Sequence, residues 1–320
     1  MSISYGGTNI TFPDASTQNT SPKTGFVNRI INGGMVINQR SFSGTPANGA
    51  YTLDRWSVNN SAAKFTVSQS SIAPAGFNNS LLVTSNSSYS VPAGEIYTIG
   101  QAIEAYNVND LAWGTSSAQT IAISFWVRSS LTGTFGGALF NASINRSYPF
   151  TYSIAVANTW SYITLTIAGD QSGTWAGTNG AGIYVQFGLG VGTTYSSSSG
   201  SWQSGFYFSA TGATSVVGTS GATFYITGVQ LEKGSTATPF EFRAYGQELA
   251  LCQRYYFKDP TVASLVYNGS GSYSSYQFKV TMRAAPTVTT AYATGAASEN
   301  GFYALSGGVT GSSVIASAEL

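Results

Sequence analysis

Apolar residues in the middle of the chain recur at every second position, which is the period of a β-strand and not of a helix. In the stretches 121–130, 160–169 and 181–190, one face is entirely apolar, while the other carries aromatic and hydrogen-bonding side chains. The apolar sets are Ile121, Ile123, Phe125 and Val127; Ile163, Leu165 and Ile167; and Ile183, Val185, Phe187 and Leu189. Strands with one apolar face bury it against a second sheet. The pattern therefore predicts a mainly β protein built as a two-sheet sandwich.

Low charge limits the partners of the chain. Among 320 residues only 8% are charged, and the formal net charge is +1. Without a basic surface the protein neutralises few phosphates, so nucleic acid is not an expected partner. The first residues lack the basic and apolar regions of a secretory signal, and no stretch is long and apolar enough to span a membrane. We expect synthesis in a cytosol and no membrane insertion.

Residue counts also exclude several kinds of chemistry. The chain has no histidine and one cysteine, Cys252, which excludes an intramolecular disulfide, a Cys/His zinc site and a nucleophile activated by histidine. The twelve acidic residues are scattered singly, and no motif marks a pair for glycoside hydrolysis or a metal site. A pair assembled by folding stays open, either Glu95 with Glu104 or Asp170 with another acid. We expect a non-enzymatic protein without a cofactor or a bound metal.

The stretch 223–256 joins the β-rich body to a helical pattern. Its apolar residues change parity near Gly228, so a continuous apolar face requires a β-bulge there. Helix formers follow from residue 246 onward. We interpret two of the acids of this stretch, Glu232 and Glu241, as structural residues that pair with a neighbouring cation or a backbone amide.

A helix over 246–259 would be apolar on two sides. Leu249, Cys252 and Tyr256 form one stripe by i, i+3, i+7 spacing. Leu251 and Tyr255 form the other by i, i+4 spacing. A short helix of this kind needs two surfaces to pack against, which favours an oligomer. The predicted interface residues are Leu249, Leu251, Cys252, Tyr255 and Tyr256.

The string ITGVQLEKGSTATPFEFRAYGQELALCQRYY at 226–256 resembles the signature of tailed-bacteriophage tail-fibre proteins that carry a carbohydrate-binding-module-like jelly roll. The segments ITFPDASTQNTSPKTG at 10–25, FKVTMRAAPTVT at 278–289 and SAEL at 317–320 are similar to the same family. The resemblance therefore covers nearly the whole chain.

This resemblance implies four segments: an attachment or trimerisation arm over 1–25, a jelly-roll carbohydrate-binding-like domain over 26–245, a connecting helix over 246–259 and a C-terminal β tip over 260–320. It also implies a homotrimer in the virion tail that binds other tail proteins through the arm and a host surface polysaccharide elsewhere. A tip of about sixty residues is marginal as an independent unit, so we expect it to depend on its neighbours.

The first strands of the jelly roll are expected in VNRIINGGMVINQR at 27–40 and YTLDRW at 51–56. Gly33 and Gly34 would form a tight turn, and Trp56 would fill one end of the core. Asp54 and Arg55 are interpreted as a local ion pair.

Aromatic and amide side chains supply the candidate glycan site, because sugars present apolar faces to aromatic rings and hydroxyls to planar amides. The outer-face set is Trp126, Arg128, Trp160, Tyr162, Tyr184 and Gln186, and the loop set is Trp175, Tyr195 and Trp202. Contacts between protomers explain the outer-face set equally well, because interfaces are also rich in Tyr and Trp. For the loop set, burial over the end of the sandwich is the alternative.

The sequence thus favours a non-enzymatic tail-fibre or receptor-binding protein that attaches a virion to a host surface glycan. Two alternatives stay open, a tail depolymerase that cleaves the polysaccharide and a purely structural tail connector or decoration protein.

Overall fold

The chain begins with a small antiparallel sheet in which β1 (Ser4–Gly6), β2 (Asn9–Thr11) and β3 (Thr17–Gln18) pair in order. The computed structural model describes residues 26–260, 275–290, 294–303 and 313–320 with their side chains. For residues 4–6, 9–11, 17–18, 261–262 and 312 it describes the backbone alone. The remainder of the predicted arm over 1–25 lies outside the described residues.

Two six-stranded antiparallel sheets follow and face each other as a jelly-roll β-sandwich. Their strands and two further short strands are β4 (Ser43–Gly44), β5 (Ser57–Asn60), β6 (Phe65–Ser70), β7 (Ser80–Ser85), β8 (Ile96–Glu104), β9 (Ile121–Ser129), β10 (Gly133–Asn141), β11 (Arg146–Ile154), β12 (Ser161–Ile167), β13 (Ala181–Val191), β14 (Ser196–Ser197), β15 (Gln203–Ser204), β16 (Ser209–Ala210) and β17 (Thr223–Lys233). Sheet I has the order β15-β11-β10-β13-β8-β5, and sheet II has the order β12-β9-β17-β7-β6-β4. The short strands β14 and β16 form a parallel pair.

The apolar faces predicted from the alternation form the core between the two sheets. The inward residues of β9 and β13 are fully buried, and Ile167 of β12 is buried at the end of its strand. Trp56 is 0% exposed and packs 6.5 Å from Phe187, which confirms its predicted place in the core. Phe125 contacts the same Phe187 ring edge-on at 5.0 Å. The predicted fold class, a mainly β jelly-roll sandwich, is confirmed by this topology.

The predicted β-bulge lies at Gly228. The pairing of β17 with β9 shifts register between Thr227 and Gln230, and Gly228 has φ +62°. A Cβ at this position would lie 2.7 Å from the ring of Phe77. The bulge lets residues on both sides of Gly228 face the same core, because one extra residue restores the parity of the strand.

Residues 27–40 join neither sheet, although their sequence predicts the first strands. Their backbone makes isolated bonds to β17, such as Arg29 N–H to the carbonyl of Leu231 at 2.8 Å, and side-chain amides supply others: Asn28 accepts from the backbone N–H of Leu231 at 3.1 Å. The Gln101 amide accepts from the N–H of Ile31 at 2.9 Å and donates to its carbonyl at 2.8 Å. Asn and Gln side chains can satisfy backbone groups without a ladder, so the apolar pattern alone overstates the strand. The predicted turn at Gly33 and Gly34 is present.

Residues 51–56 form a turn, and β5 begins only after it. The predicted local ion pair between Asp54 and Arg55 is not formed. Arg55 has φ +71° and forms a salt bridge with Glu319, whereas Asp54 accepts from Gln39 Nε2 at 2.6 Å. Adjacent residues in a turn project in different directions, so proximity in sequence does not place their charges together.

The helix is shorter than the sequence predicts. Helix α1 spans Tyr245–Gln253, and β18 (Tyr256–Val262) starts three residues after it ends. The aromatic residues at 255–257 favour strands, and β18 obtains a partner in β22 (Ser312–Ser317), so tertiary pairing ends the helix. The connecting helix therefore does not extend to residue 259.

A second, smaller β unit follows α1. Its remaining strands are β19 (Ser275–Gln277), β20 (Thr287–Thr289) and β21 (Gly301–Tyr303). β18, β22 and β20 form one sheet, and β19 pairs with β21. Their core contains Phe257, Phe278, Met282, Phe302 and Val314. Residues 278–286, between β19 and β20, form no strand.

Candidate functional site

The predicted outer-face residues do not form a single surface. Trp126, Arg128, Trp160 and Tyr162 lie on or beside β9 and β12 of sheet II, whereas Tyr184 and Gln186 lie on β13 of sheet I. The two sheets are opposite layers of the sandwich. Strand alternation shows that a residue faces outward but not which sheet it belongs to, which is why the sequence grouped them.

On sheet II the aromatic side chains are engaged with one another. The Trp126 and Tyr162 rings are 5.1 Å apart, and Trp160 lies 6.2 Å from Tyr225. Arg128 donates from Nε to the carbonyl of Asn158 at 2.8 Å, and its guanidinium lies 5.1 Å from the centre of the Tyr225 ring. Arg128 is therefore held by intrachain partners, and its cation–π contact needs no ligand.

The two loop tryptophans pack against each other and against a third, Trp113. Ring-centre distances are 4.8 Å between Trp113 and Trp175, 5.2 Å between Trp113 and Trp202, and 5.4 Å between Trp175 and Trp202, all edge-on. The Trp175 and Trp202 indoles donate to the carbonyls of Ser172 and Ala168. This geometry favours the burial alternative, in which the loops cover one end of the core.

Sheet I carries an open groove of about 240 Å³ on its outer face. It is lined by Gly49, Tyr51, Ser57, Val58, Asn59, Phe140, Ile144, Tyr184, Gln186, Phe206, Phe208 and Leu320. The groove follows from the sequence of β8, where the outward positions are the small residues Thr98, Gly100 and Ala102, in register with β13. The Gln186 side chain lies over Gly100, since a Cβ there would be 2.4 Å from the amide carbon.

Aromatic rings form the β10 side of the groove. Phe140 and Tyr184 are stacked with centres 4.9 Å apart and an interplanar angle of 17°. Phe206 and Phe208 contact Phe140 edge-on at 5.3 and 5.1 Å. Tyr195, predicted as a loop contact, packs behind them at 6.0 Å from Phe206. Burial raises the pKa of Tyr184, so its phenol is neutral at ordinary pH.

Polar side chains in the groove form a short relay that orients one amide. Asn59 Nδ2 donates to Thr98 Oγ1 at 2.9 Å, and Thr98 Oγ1 donates to Gln186 Oε1 at 2.7 Å. Because Oε1 is occupied, the Nε2 donors of Gln186 are left for another acceptor. None of the side chains that line the groove carries a formal charge.

Sequence reasoning missed most of the groove. It identified Tyr184, Gln186 and Tyr195 but not Phe140, Phe206, Phe208 or Asn59. Alternation in β10 does place Phe140 opposite to the core residues Phe135 and Leu139, so this signal was present. Phe206 and Phe208 follow β15 in an irregular segment, where sequence periodicity does not predict which way a side chain points.

The acids considered for catalysis are engaged in separate contacts. Glu95 accepts from Tyr89, Glu104 forms a two-point pair with Arg254, and Asp170 pairs with Arg146. Glu95 and Glu104 lie at opposite ends of β8, about 30 Å apart by the rise of a strand, too far for a hydrolytic pair.

Within the described ranges no group of three or more Cys, Asp and Glu side chains is arranged to hold a metal ion. No helix among the described residues is long and apolar enough to cross a membrane.

Three of the five predicted interface residues are buried inside the chain. Cys252 and Tyr255 are 0% exposed and pack against Ile31 and Ile37, and Tyr256 is 8% exposed. Burial raises the pKa of the Cys252 thiol well above its usual value, as expected for a buried apolar residue. The other two, Leu249 and Leu251, are half-buried. Residues of both predicted stripes therefore pack on the 31–37 segment of their own chain.

The signature region at 226–256 forms ion pairs and hydrogen bonds that join separate segments of the chain. Glu241 accepts from the N–H of Asn28 at 2.9 Å and pairs with Arg243 at 2.9 Å, which matches its expected structural role. Arg243 also pairs with Glu248 of α1 at 3.2 Å. Glu232 accepts from the N–H of Thr238 at 2.7 Å.

No protein-family model and no curated protein matches the chain. Among solved structures, it is similar to the enzymatically active domain of tailspike protein 4 of bacteriophage CBA120, with 15% identity, a TM-score of 0.37, and coverage of 65% of this chain and 22% of that one. It is also similar to a putative sugar-binding protein from Bacteroides thetaiotaomicron (12% identity, TM-score 0.37, 65% and 100% coverage).

A third similar structure is TmCBM61 in complex with β-1,4-galactotriose, with 10% identity, a TM-score of 0.34, and coverage of 65% of this chain and 99% of that one. At these TM-scores the likenesses carry no argument about the site. The sheet topology of the chain itself is that of a jelly-roll β-sandwich, and sheet I carries an aromatic groove lined by uncharged side chains.

Proposed function

We propose that this protein binds a neutral glycan in the groove of sheet I, and that it does so as a receptor-binding component of a phage tail. The observation that carries the glycan proposal is the stacked Phe140–Tyr184 pair beside the oriented amide of Gln186. The tail setting is supported by the resemblance of residues 226–256 to tail-fibre proteins.

The groove suits a sugar because it combines two different contacts within one open surface. The C–H face of a pyranose packs on an aromatic ring, and the Nε2 group of Gln186 donates to a ring or hydroxyl oxygen. Asn59 and Thr98 hold that amide in place, so little rotamer entropy is lost when the ligand binds.

The class of glycan follows from charge. An anionic sugar would need a cation in the groove, and none of the side chains that line it is a cation. Arg128, the cation of the predicted outer-face set, lies on the opposite sheet and is held by Asn158 and Tyr225. We therefore propose a neutral polysaccharide of the host surface as the ligand.

We propose non-catalytic binding in a homotrimer. The acids that sequence reasoning had left open as a hydrolytic pair are instead engaged in separate contacts, with Arg254, Arg146 and Tyr89. Single sites of this size bind weakly, and several copies acting together make attachment stable. Light scattering of the purified protein tests the trimer, and a monomer would contradict this part of the proposal.

The binding experiment uses an array of neutral and acidic glycans, followed by calorimetry with a neutral oligosaccharide that binds. Tyr184→Ala and Gln186→Ala should each weaken binding about fivefold to tenfold, the effect of losing one stacking contact or one hydrogen bond. Tyr162→Ala is the matched control, since this tyrosine is 45% exposed on sheet II.

Three outcomes would contradict the proposal. They are wild-type affinity in both groove variants, an equal loss in Tyr162→Ala, and preferential binding of acidic glycans. Release of reducing ends from host polysaccharide would instead support the depolymerase alternative.

A further inference from the structure

The β5 side of the groove is built partly by the second β unit. Leu320 lines the groove together with Tyr51, which bridges to the start of β5 at Ser57. The Tyr51 hydroxyl donates to the main-chain oxygen of Leu320 at 2.5 Å. Phe140 and Tyr184 lie on β10 and β13 of sheet I, whereas β5 is its edge strand. Leu320 therefore lies across the groove from the aromatic rings, and its side chain also packs against the cluster of Ile31, Ile37, Cys252 and Tyr255.

Buried charges hold this wall in place. Glu319 forms salt bridges with Arg55 and, at 2.9 Å, with Arg40. The side chains of Arg55 and Glu319 are 1% and 7% exposed. Burial alone would lower the pKa of Arg55, but Glu319 and neighbouring tyrosines outweigh it and raise the pKa, so Arg55 stays charged.

The second unit is attached at the same place through its backbone. Arg283 donates to the carbonyls of Ala318 at 2.8 Å and Glu319 at 3.0 Å. The N–H of Ala318 donates to the carbonyl of Tyr255 at 2.8 Å, where α1 passes into β18. Residues 318–320 are therefore fixed from the sandwich and from the second unit at once.

We propose that Leu320 contacts the glycan directly and that Glu319 is a positioning residue that sets the place of Leu320. On this proposal the groove is a composite site, complete only when the second β unit is docked on the sandwich. The inference rests on the proposed function, since it names a further wall of the same groove.

The test is a double-mutant cycle in the full chain, measured by calorimetry with the neutral oligosaccharide that the wild type binds. Leu320→Ser should weaken binding about fivefold, the effect of losing contact with one or two methyl groups. Leu320→Met should keep wild-type affinity. Ile72→Ser is the matched control, because Ile72 is 46% exposed and lies outside the groove.

The Glu319→Gln variant tests whether Glu319 affects glycan binding by positioning Leu320 or only by stabilising the fold. It should weaken glycan binding in the wild-type background and cause no further loss of affinity in the Leu320→Ser background, while it lowers the melting temperature in both. Equal losses in the two backgrounds would overturn the positioning role of Glu319.

The outcomes also separate this inference from the proposed function. If the wild type binds and Gln186→Ala weakens binding while Leu320→Ser does not, the composite site is refuted and the glycan groove stands. If the wild type binds no neutral oligosaccharide, the proposed function and this inference both fail.

Discussion

Removing the positive charge at Arg254 should destabilise the protein, because it leaves the buried carboxylate of Glu104 poorly paired. Glu104 ends β8 and is 2% exposed. Arg254 donates to it from Nη2 at 2.7 Å and from Nε at 3.1 Å, and the Tyr255 hydroxyl donates at 2.6 Å. This contact joins sheet I to the end of α1, so it reports on the role of the signature region.

The magnitude follows from burial. Removing one partner of a fully buried ion pair costs about 3–5 kcal/mol, because the remaining charge is left in the protein interior. The side chain of Arg254 is 33% exposed and the Tyr255 donor remains, so we expect about 2–3 kcal/mol for Arg254→Met. At about 2–4 °C per kcal/mol for a body of this size, the melting temperature should fall by about 4–12 °C.

The assay is urea unfolding followed by tryptophan fluorescence, with calorimetry for the melting temperature. In the double variant Glu104→Gln, Arg254→Met the loss should be smaller than in Arg254→Met alone, because no buried charge remains. Lys233→Met is the control: the Lys233 and Asp110 side chains are 42% and 46% exposed, and such pairs contribute below about 1 kcal/mol. An effect of Arg254→Met no larger than that of Lys233→Met would refute the reasoning.

Two further predictions concern the bulge and the groove. Gly228→Ala should lower the free energy of unfolding by more than about 1 kcal/mol, since φ is +62° and the new Cβ would lie 2.7 Å from the Phe77 ring. Gly212→Ala, with φ +77° and open space, is the matched control, and urea unfolding that shows equal losses would contradict the crowding argument. Burial and Glu319 raise the pKa of Tyr51 to about 12 from 10.0, so the unfolded chain loses this proton first as pH rises. Stability from Tyr51 is complete below pH 10 and is lost between about pH 10 and 12; Tyr51→Phe should flatten that part of the stability profile, and an unchanged profile would contradict it.

Much of the sandwich could be predicted because its determinants are local. The alternation of Ile121, Ile123, Phe125 and Val127 is set by strand geometry, and the change of parity at Gly228 required a bulge. The same reasoning failed at residues 27–40, where isolated backbone bonds and amide side chains bind distant segments and no strand ladder forms. It also failed at Tyr256, which was predicted to be helical but lies in β18, because β22 provides a strand partner.

The candidate site was only partly predictable for a related reason. Alternation shows that Trp126 and Tyr184 face outward, but it does not assign them to opposite sheets, which follows from the strand order. Whether a tryptophan such as Trp175 is free or packed depends on loops that meet it from elsewhere in the chain.

By itself the sequence determined the β class, the inward faces of the central strands, the bulge, and the absence of histidine and disulfide chemistry, because each depends on composition or on spacing within one strand. Only the tertiary structure decided where the groove lies. It exists because the small outward residues of β8 are flanked by the aromatic rings of β10 and β13 and by Leu320 at the β5 edge. Those residues are distant in sequence, and they meet only through the order of strands in sheet I and the docking of the second β unit.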